Sequence, residues 1–392
     1  MSFDSLGLDV RLLRALGKRG LESPLPVQAE CIPRALEGRD IVARARTGSG
    51  KTLAYLLPAL HRILSSGKGR AGWQALVLVP TRELCEQVRA EAAALAAHCG
   101  ADLAVTAISA EGAAARTAAA TAGQLVVSTP ARVAALLREG ALTARALERS
   151  LGTLVLDEAD LLLGYGYEAD VAALAPSVPR ACQCMLMSAT TSADVDRLTK
   201  LVLHSPLALD LLAAGGGGEE GAAAAGGAAA EITHLRIDLP AACGGRGPAG
   251  EAGEKLLHLL ALLRLALVAP KTLVFVNSAE AGMRVRLFLD AFGIRCSVLS
   301  ADLPLNSRHH ILQEFNRGLF DVLVATDDVH AADAAPRPTK LRRGAAAAAG
   351  RGRGRAGQGA ARKDEEFGVT RGIDFKGVNT VVNFDMPGSV QG

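Results

Sequence analysis

The sequence predicts an α/β protein built from two tandem parallel-sheet domains, and three observations carry that reading. A chain of 392 residues is too long for one ordinary core. Short apolar runs alternate with helical patterns on both sides of an Ala/Gly-rich tract. Those runs lack polar alternation, as strands covered on both faces should.

The first 35 residues form a segment ahead of the first domain, which is expected over 36–210. Its candidate strands are Ile41–Ala43, Ala75–Val79, Leu125–Ser128, Thr153–Leu156 and Cys184–Met187, with helical stretches such as Leu53–Leu64 and Arg82–Ala97 between them. Residues 211–254 read as a linker region. From Leu211 to Ala230, sixteen of twenty residues are Ala or Gly, too little apolar bulk to order itself. A strand-like piece, Ile232–Leu239, follows that run.

The second domain is expected over 255–392. Helix Lys255–Leu267, strand Thr272–Val276, helix Ala279–Phe292, strand Ser297–Leu299, helix Arg308–Arg317 and strand Val322–Ala325 repeat the α/β pattern. A low-complexity insertion at 328–370 then interrupts it. Between Arg337 and Lys363 this insertion holds nine Lys or Arg and no acid. The pattern resumes with strand Thr380–Phe384.

Composition narrows the class. Hydrophobic residues at 49% and charged residues at 21% describe a globular chain. The net charge of +3 permits a polyanionic partner without requiring one. One Trp, three Tyr and nine Phe are few, so a nucleic-acid binder of this composition would grip backbone more than stack on bases. Seven Cys without a CxxC pair predict reduced thiols rather than a metal site. The opening residues lack the features of a signal peptide, and the most apolar stretch, Leu256–Val268, is broken by His258 and Arg264. A nuclear or cytoplasmic protein without membrane association is expected.

The sharpest chemical signal lies at Ala45, Arg46, Thr47, Gly48, Ser49, Gly50, Lys51 and Thr52, after a strand and before a helix. Glycines let the backbone turn so that its N–H groups face an anion, and the helix N-terminus adds a favourable dipole. Lys51 would neutralise the β- and γ-phosphates, and Thr52 would offer its hydroxyl to Mg²⁺. About a hundred residues later, the strand through Leu156 ends in Asp157 and Glu158. Asp157 is placed to hold Mg²⁺ through water, and Glu158 to polarise the attacking water. ATP and Mg²⁺ are the implied ligands.

Asp157-Glu158-Ala159-Asp160 is the motif that names the DEAD-box RNA helicases, and the chain resembles that family over nearly its whole length apart from linker and insertion. Phe3 and Gln28 resemble the adenine-reading segment. Pro80-Thr81-Arg82 and Thr129-Pro-Ala-Arg132 resemble RNA-contacting motifs of the first domain, and Ser188-Ala-Thr190 resembles the motif that, with Asp160, couples hydrolysis to strand separation. In the second domain Val274–Asn277, Arg308, Thr326-Asp327 and Arg371–Asp374 resemble RNA-contacting and interdomain motifs, with Asp374 on the ATP side. The resemblance implies two RecA-like domains, ATP in their cleft and RNA across both, with Arg82, Arg132 and Arg308 gripping phosphates from loop tips.

The opening Ser-Phe-Asp-Ser-Leu, the phrase Leu303–Arg308 and the basic insertion resemble the nucleolar subgroup acting in large-ribosomal-subunit assembly. That implies pre-ribosomal RNA and assembly proteins as partners, a nucleolar setting and a monomer. The Arg-Gly run Arg351–Arg355 is read either as a non-specific RNA or nuclear-address segment or as a solvated expansion.

Three features depart from the family pattern. Ser109-Ala-Glu111-Gly112 stands where paired glycines are expected, and Leu305 where a Gln is common. The family's HRxGRxGR motif does not follow Met386-Pro387 within this sequence. A finger arginine is worth roughly 10³–10⁵ in rate in other phosphate-loop enzymes. The chain as written is therefore expected to bind nucleotide and hydrolyse it slowly, as a fragment of a helicase. Two other readings stay open: a non-catalytic RNA-binding assembly factor, and a DNA-directed helicase.

Overall fold

The computed structural model describes residues 2–46, 48–66, 72–100, 103–190, 193–211, 233–239, 248–300, 302–326, 375 and 377–386. The chain divides into two compact units, Met1–Thr233 and His234–Gly392.

The first unit opens with a 3₁₀ turn, Phe3–Leu6, then α1 (Val10–Lys18) and α2 (Pro26–Leu36). Asp9 caps α1 by accepting from the Arg11 N–H at 2.9 Å. Pro26 opens α2, where its missing N–H costs nothing. The α/β pattern follows: β1 (Ile41–Arg44), α3 (Lys51–Ser65), β2 (Ala75–Leu78), α4 (Arg82–Ala96), β3 (Val105–Ile108), α5 (Gly112–Ala120), β4 (Leu125–Ser128), α6 (Pro130–Arg138) and α7 (Ala144–Ser150). It continues through β5 (Thr153–Leu156), α8 (Ala159–Gly164), α9 (Glu168–Leu174), β6 (Gln183–Ser188), α10 (Ala193–Val202) and β7 (Leu207–Asp210).

These strands form one sheet in the order β3-β4-β2-β5-β6-β1-β7, with every pair parallel. Successive residues of a strand point to opposite faces. Ala75 and Val77 enter one core with α1, α2 and α3, while Leu76 and Leu78 enter another with α6 and α10. Helices cover both faces, so the strands read as unbroken apolar runs.

The second unit contains α11 (Pro248–Arg264), β8 (Thr272–Val276), α12 (Ala279–Ala291), β9 (Cys296–Leu299), α13 (Leu305–Arg317), β10 (Val322–Thr326) and β11 (Thr380–Asn383). Its parallel sheet runs β11-β8-β10-β9. Val274 and Val324 face the core with α11 and α12, whereas Leu273 and Leu323 pack with Leu312 and Phe315 of α13.

Three expectations need correction. The strand expected at Ile232–Leu239 does not form: 233–239 carry no regular structure, and Leu235 is 88% exposed, so the alternation there has no sheet to pair with. β3 and β7 were not expected. Both are sheet edges whose partly buried residues lack the continuous apolar signature of the central strands. Helix α11 begins at Pro248, ahead of the expected Lys255. The Ala/Gly tract from 212 to 230 and the insertion at 328–370 lie outside the described residues.

Candidate nucleotide site and nucleic-acid interface

The C-terminal ends of three adjacent strands, β5, β6 and β1, bring the expected nucleotide residues together. Ligand sites of open α/β sheets gather at this edge because the loops that cross to the helices begin there. The loop after β1 is tied to β6 by the Ala45 N–H, which donates to the Ser188 carbonyl at 3.1 Å. It turns through Gly48 (φ 77°) and Gly50 (φ 88°), left-handed conformations that glycine takes without a Cβ clash. Gly50 is then the N-cap of α3, and Lys51 and Thr52 occupy its first turn. Arg46 is exposed, and Thr47 lies outside the described residues.

Lys51 is buried and donates from Nζ to the Ala45 carbonyl at 3.0 Å, and its ammonium lies 3.7 Å from Glu158 Oε1. The Ser49 hydroxyl oxygen is buried and has no hydrogen-bond partner among the described residues. A buried donor of this kind suits a phosphate oxygen, which brings its own lone pairs. The N–H groups in the first turn of α3 have no carbonyl ahead of them within the helix. Loop and helix start together fit an anionic ligand.

Asp157 and Glu158 follow β5. Asp157 is fixed from two sides: Oδ2 accepts from the Tyr55 phenol at 2.7 Å, and Oδ1 from the Glu158 N–H at 3.0 Å. Burial raises the Asp157 pKa above the ordinary value, against the Tyr55 hydrogen bond and the Lys51 charge. Burial likewise lifts Tyr55 well above the usual phenol range, and the Asp157 charge adds to it. Burial and the neighbouring Asp157 charge push Glu158 up to about 7, with Lys51 opposing. Glu158 also sits in the left-handed region (φ 49°, ψ 53°), a strained state for a residue with a Cβ. Thr52 and Asp157 supply the hard oxygens that Mg²⁺ accepts. Among the described residues no group of three or more His, Cys, Asp or Glu side chains is set to hold a metal.

The three expected coupling residues meet. Thr190 donates from Oγ1 to Asp160 Oδ2 at 3.0 Å, and Ser188 Oγ bonds the Thr190 carbonyl at 3.0 Å. They join the end of β6 to the first turn of α8.

Two expected adenine-reading residues sit differently. Phe3 is 3% exposed within the hydrophobic core, so its ring presents no open face. Gln28 is 1% exposed; its Oε1 accepts from the Leu25 N–H at 2.9 Å, and its Nε2 donates to the Gly50 carbonyl at 3.1 Å. It clamps the phosphate loop to the start of α2. Asp374 lies outside the described residues, as do Asp327 and Arg371.

The expected RNA residues of the first unit gather at the same sheet edge, on β2 and β4. Pro80 is buried; Thr81 caps α4, with Arg82 in its first turn, and Thr129 caps α6, with Arg132 in its first turn. In the second unit, Arg308 lies on α13 and Thr326 ends β10, where its hydroxyl faces the Leu299 carbonyl at 3.5 Å. The arginines are therefore not on loop tips. Arg132 is 8% and Arg308 2% exposed, and each lies within the first turn or so of a helix, α6 and α13, rather than in the loop before it.

Two residues to which the sequence assigned no role join these sites. Tyr55 follows Thr52 by three positions, which puts both on one helix face. Glu111 lies beyond β3, next to β4, where its carboxylate meets both Arg82 and Arg132.

Among the described residues no helix is long and apolar enough to cross a membrane. The DEAD/DEAH box helicase family model matches residues 25–198, and that of the helicase conserved C-terminal domain matches residues 254–330. "DEAD-box ATP-dependent RNA helicase 16" of Arabidopsis thaliana is 46% identical over 398 residues, across 100% of this chain and 60% of that protein. "ATP-dependent RNA helicase dbp9" of Aspergillus oryzae is 41% identical over 395 residues, across 98% of this chain and 61% of that protein. The chain thus spans about three-fifths of the length of these curated relatives. The solved structure of S. cerevisiae Dbp5 bound to RNA and ADP BeF3 shares the tandem RecA-like fold, with a TM-score of 0.66 at 22% identity over 100% of this chain and 82% of that one. With both helicase models in order along one chain and similarity to these relatives along the whole of this chain, the chain belongs to the DEAD-box family of ATP-dependent RNA helicases.

Proposed function

We propose that the protein couples ATP hydrolysis to unwinding of RNA duplexes or remodelling of RNA–protein complexes. The observation that carries this reading is the convergence of Lys51, Asp157, Glu158 and the Thr190–Asp160 bond at the ends of β1, β5 and β6.

Each side chain has a separable task. The turn at Gly48–Gly50 and the start of α3 receive the phosphates. Lys51 exchanges its Ala45 carbonyl for a phosphate oxygen. Glu158, with a pKa of about 7, accepts a proton from water at neutral pH, where a general base works best. Thr52 and Asp157 would hold Mg²⁺, which when bound offsets phosphate charge. The Thr190–Asp160 bond ties the acidic motif to β6, so a shift at one is felt at the other.

The RNA surface is assigned to Pro80, Thr81, Arg82, Thr129 and Arg132 in the first unit, and to Arg308 and Thr326 in the second. Their backbone and guanidinium donors would grip phosphates without reading sequence. The subgroup resemblance supports pre-ribosomal RNA as substrate, ribosome-assembly proteins as partners and a nucleolar setting.

The test is RNA-stimulated ATP hydrolysis by wild type and Glu158→Gln, each in a form that carries the family's terminal arginine motif, because the 392-residue chain alone is expected to turn over slowly. The reading expects stimulation by RNA and a loss of at least 10²-fold in the variant, the scale of a lost general base. Hydrolysis indifferent to RNA, or untouched by the substitution, would overturn it.

A further inference from the structure

Arg82 and Arg132 converge on one carboxylate. Glu111 Oε1 pairs with Arg82 Nη2 and lies 3.1 Å from Arg132 Nη2. The three residues come from the C-terminal ends of β2, β4 and β3, which are neighbours in the sheet. The arrangement is a guanidinium pair closed over a single anionic oxygen, the geometry in which arginines receive a phosphate. The Glu111 side chain is 53% exposed, against 23% for Arg82 and 10% for Arg132, so an anion arriving from solvent meets Glu111 first.

We propose that Glu111 is a resident occupant of the phosphate seat formed by Arg82 and Arg132, and that an RNA backbone must displace its carboxylate to bind there. The inference rests on the RNA-binding reading of those two arginines.

Three further observations support it. Glu111 is the N-cap residue of α5, yet its side chain makes no capping bond and reaches the arginines instead. A carboxylate at that position ordinarily satisfies its own helix. The helix is also lightly anchored: of its nine residues only Ala115 is buried, so moving it disturbs little core. Finally, the stretch Ser109–Gly112, which includes Glu111, sits near the place where the family pattern has paired glycines, which carry no charge. Burial works against ionisation of Glu111, but Arg82 and Arg132 hold its carboxyl below the usual range, so it remains an anion at neutral pH. The seat then offers RNA one net positive charge in place of two. The expected consequence is modest affinity and a shallow salt dependence.

The experiment measures anisotropy of a fluorescein-labelled single-stranded oligoribonucleotide, with a non-hydrolysable ATP analogue and Mg²⁺, across a salt series. The Glu111→Gln variant keeps the shape and removes the charge. It is expected to bind roughly three- to tenfold tighter at low salt, with a log–log salt slope steeper by about 0.7, one further phosphate neutralised on a single strand. In an Arg82→Ala/Arg132→Ala background the same substitution should change nothing. Affinity unchanged or weakened in Glu111→Gln overturns the inference, as does a gain that persists without the arginines. If Arg82→Ala and Arg132→Ala leave RNA binding intact in the wild-type background, the RNA reading of this surface fails as well. If they weaken binding while Glu111→Gln matches wild type, only the role of Glu111 is lost.

Discussion

The Tyr55 phenol donates to Asp157 Oδ2 at 2.7 Å, which joins the phosphate-loop helix to the end of β5 through one buried hydrogen bond. With Oδ1 held by the Glu158 N–H, the carboxylate cannot rotate freely. Tyr55→Phe keeps the ring and removes the donor. Denaturant unfolding should show a loss of about 1.5–3 kcal/mol, the range for a hydrogen bond to a charged group. Titration of a fluorescent ADP analogue should also show a weakened response to Mg²⁺, with affinity in EDTA unchanged. A variant as stable as wild type with the same Mg²⁺ response would show that the bond does nothing for the site.

Glu158 sets a pH dependence whose sign follows from its raised pKa. An unfolded Glu titrates near 4.5 and the folded one at about 7, so between those values the native state holds the extra proton. Stability of the nucleotide-free protein should therefore fall as pH rises from about 4.5 to 7 and level off above that window. A shift of that size corresponds to a loss on the order of 3 kcal/mol. Glu158→Gln removes the titration, so the variant should be more stable than wild type at pH 8 and equal to it near pH 4.5. Parallel unfolding curves across that range would contradict the burial of an ionisable group here.

Much of this site was legible because its chemistry is written in contiguous residues. Gly48, Gly50, Lys51 and Thr52 sit within five positions, and a helix start follows as the glycines require. The strand ahead of Asp157 was legible because Leu154–Leu156 is apolar throughout, which also marks it as central. What sequence spacing could not supply were contacts between distant segments. Tyr55 meets Asp157 across 102 positions, and Arg82 meets Glu111 across 29, and neither pair has a periodicity that announces it. Burial was misjudged for a related reason. Phe3, Arg132 and Arg308 belong to types or motifs that suggest access to ligand, yet their exposure depends on packing by α-helices elsewhere in the chain. The edge strands β3 and β7 escaped notice because half-buried strands share their composition with loops.

Thr190 and Asp160 are joined by a hydrogen bond at a partly open position, so the pair contributes little to stability. The role proposed for it is transmission between the acidic motif and β6. Thr190→Val keeps the branched shape and deletes the hydroxyl. RNA-stimulated ATP turnover should stay within about fivefold of wild type, since an exposed hydrogen bond to a carboxylate is screened by water and worth under about 1 kcal/mol. Duplex unwinding, measured as release of a labelled strand, should fall by a clearly larger factor. Equal losses in the two assays would place Thr190 in the hydrolytic step instead.

Gly50 faces two constraints that can be separated. Its φ of 88° disfavours any side chain, and a Cβ would meet Gln28 Nε2 at 2.4 Å and Leu25 Cδ1 at 2.7 Å. The left-handed conformation alone costs Ala about 1–2 kcal/mol. Displacing Gln28 also breaks the clamp on the loop, which adds about 1 kcal/mol for each hydrogen bond lost. Gly50→Ala should therefore destabilise the protein by about 2–4 kcal/mol and lower affinity for fluorescent ADP at least tenfold. Gln28→Ala in the same chain removes the obstructing amide but leaves the backbone conformation as it was. The double variant should then be less destabilised than the sum of the two single changes, because both lose the same clamp, while the dihedral cost and the contact with Leu25 remain. Nucleotide affinity should stay low, since the loop no longer has its Gln28 anchor. If the double variant were as weakened as the sum of the two single changes, the two residues would not be coupled, and the clamp would have no part in shaping the loop.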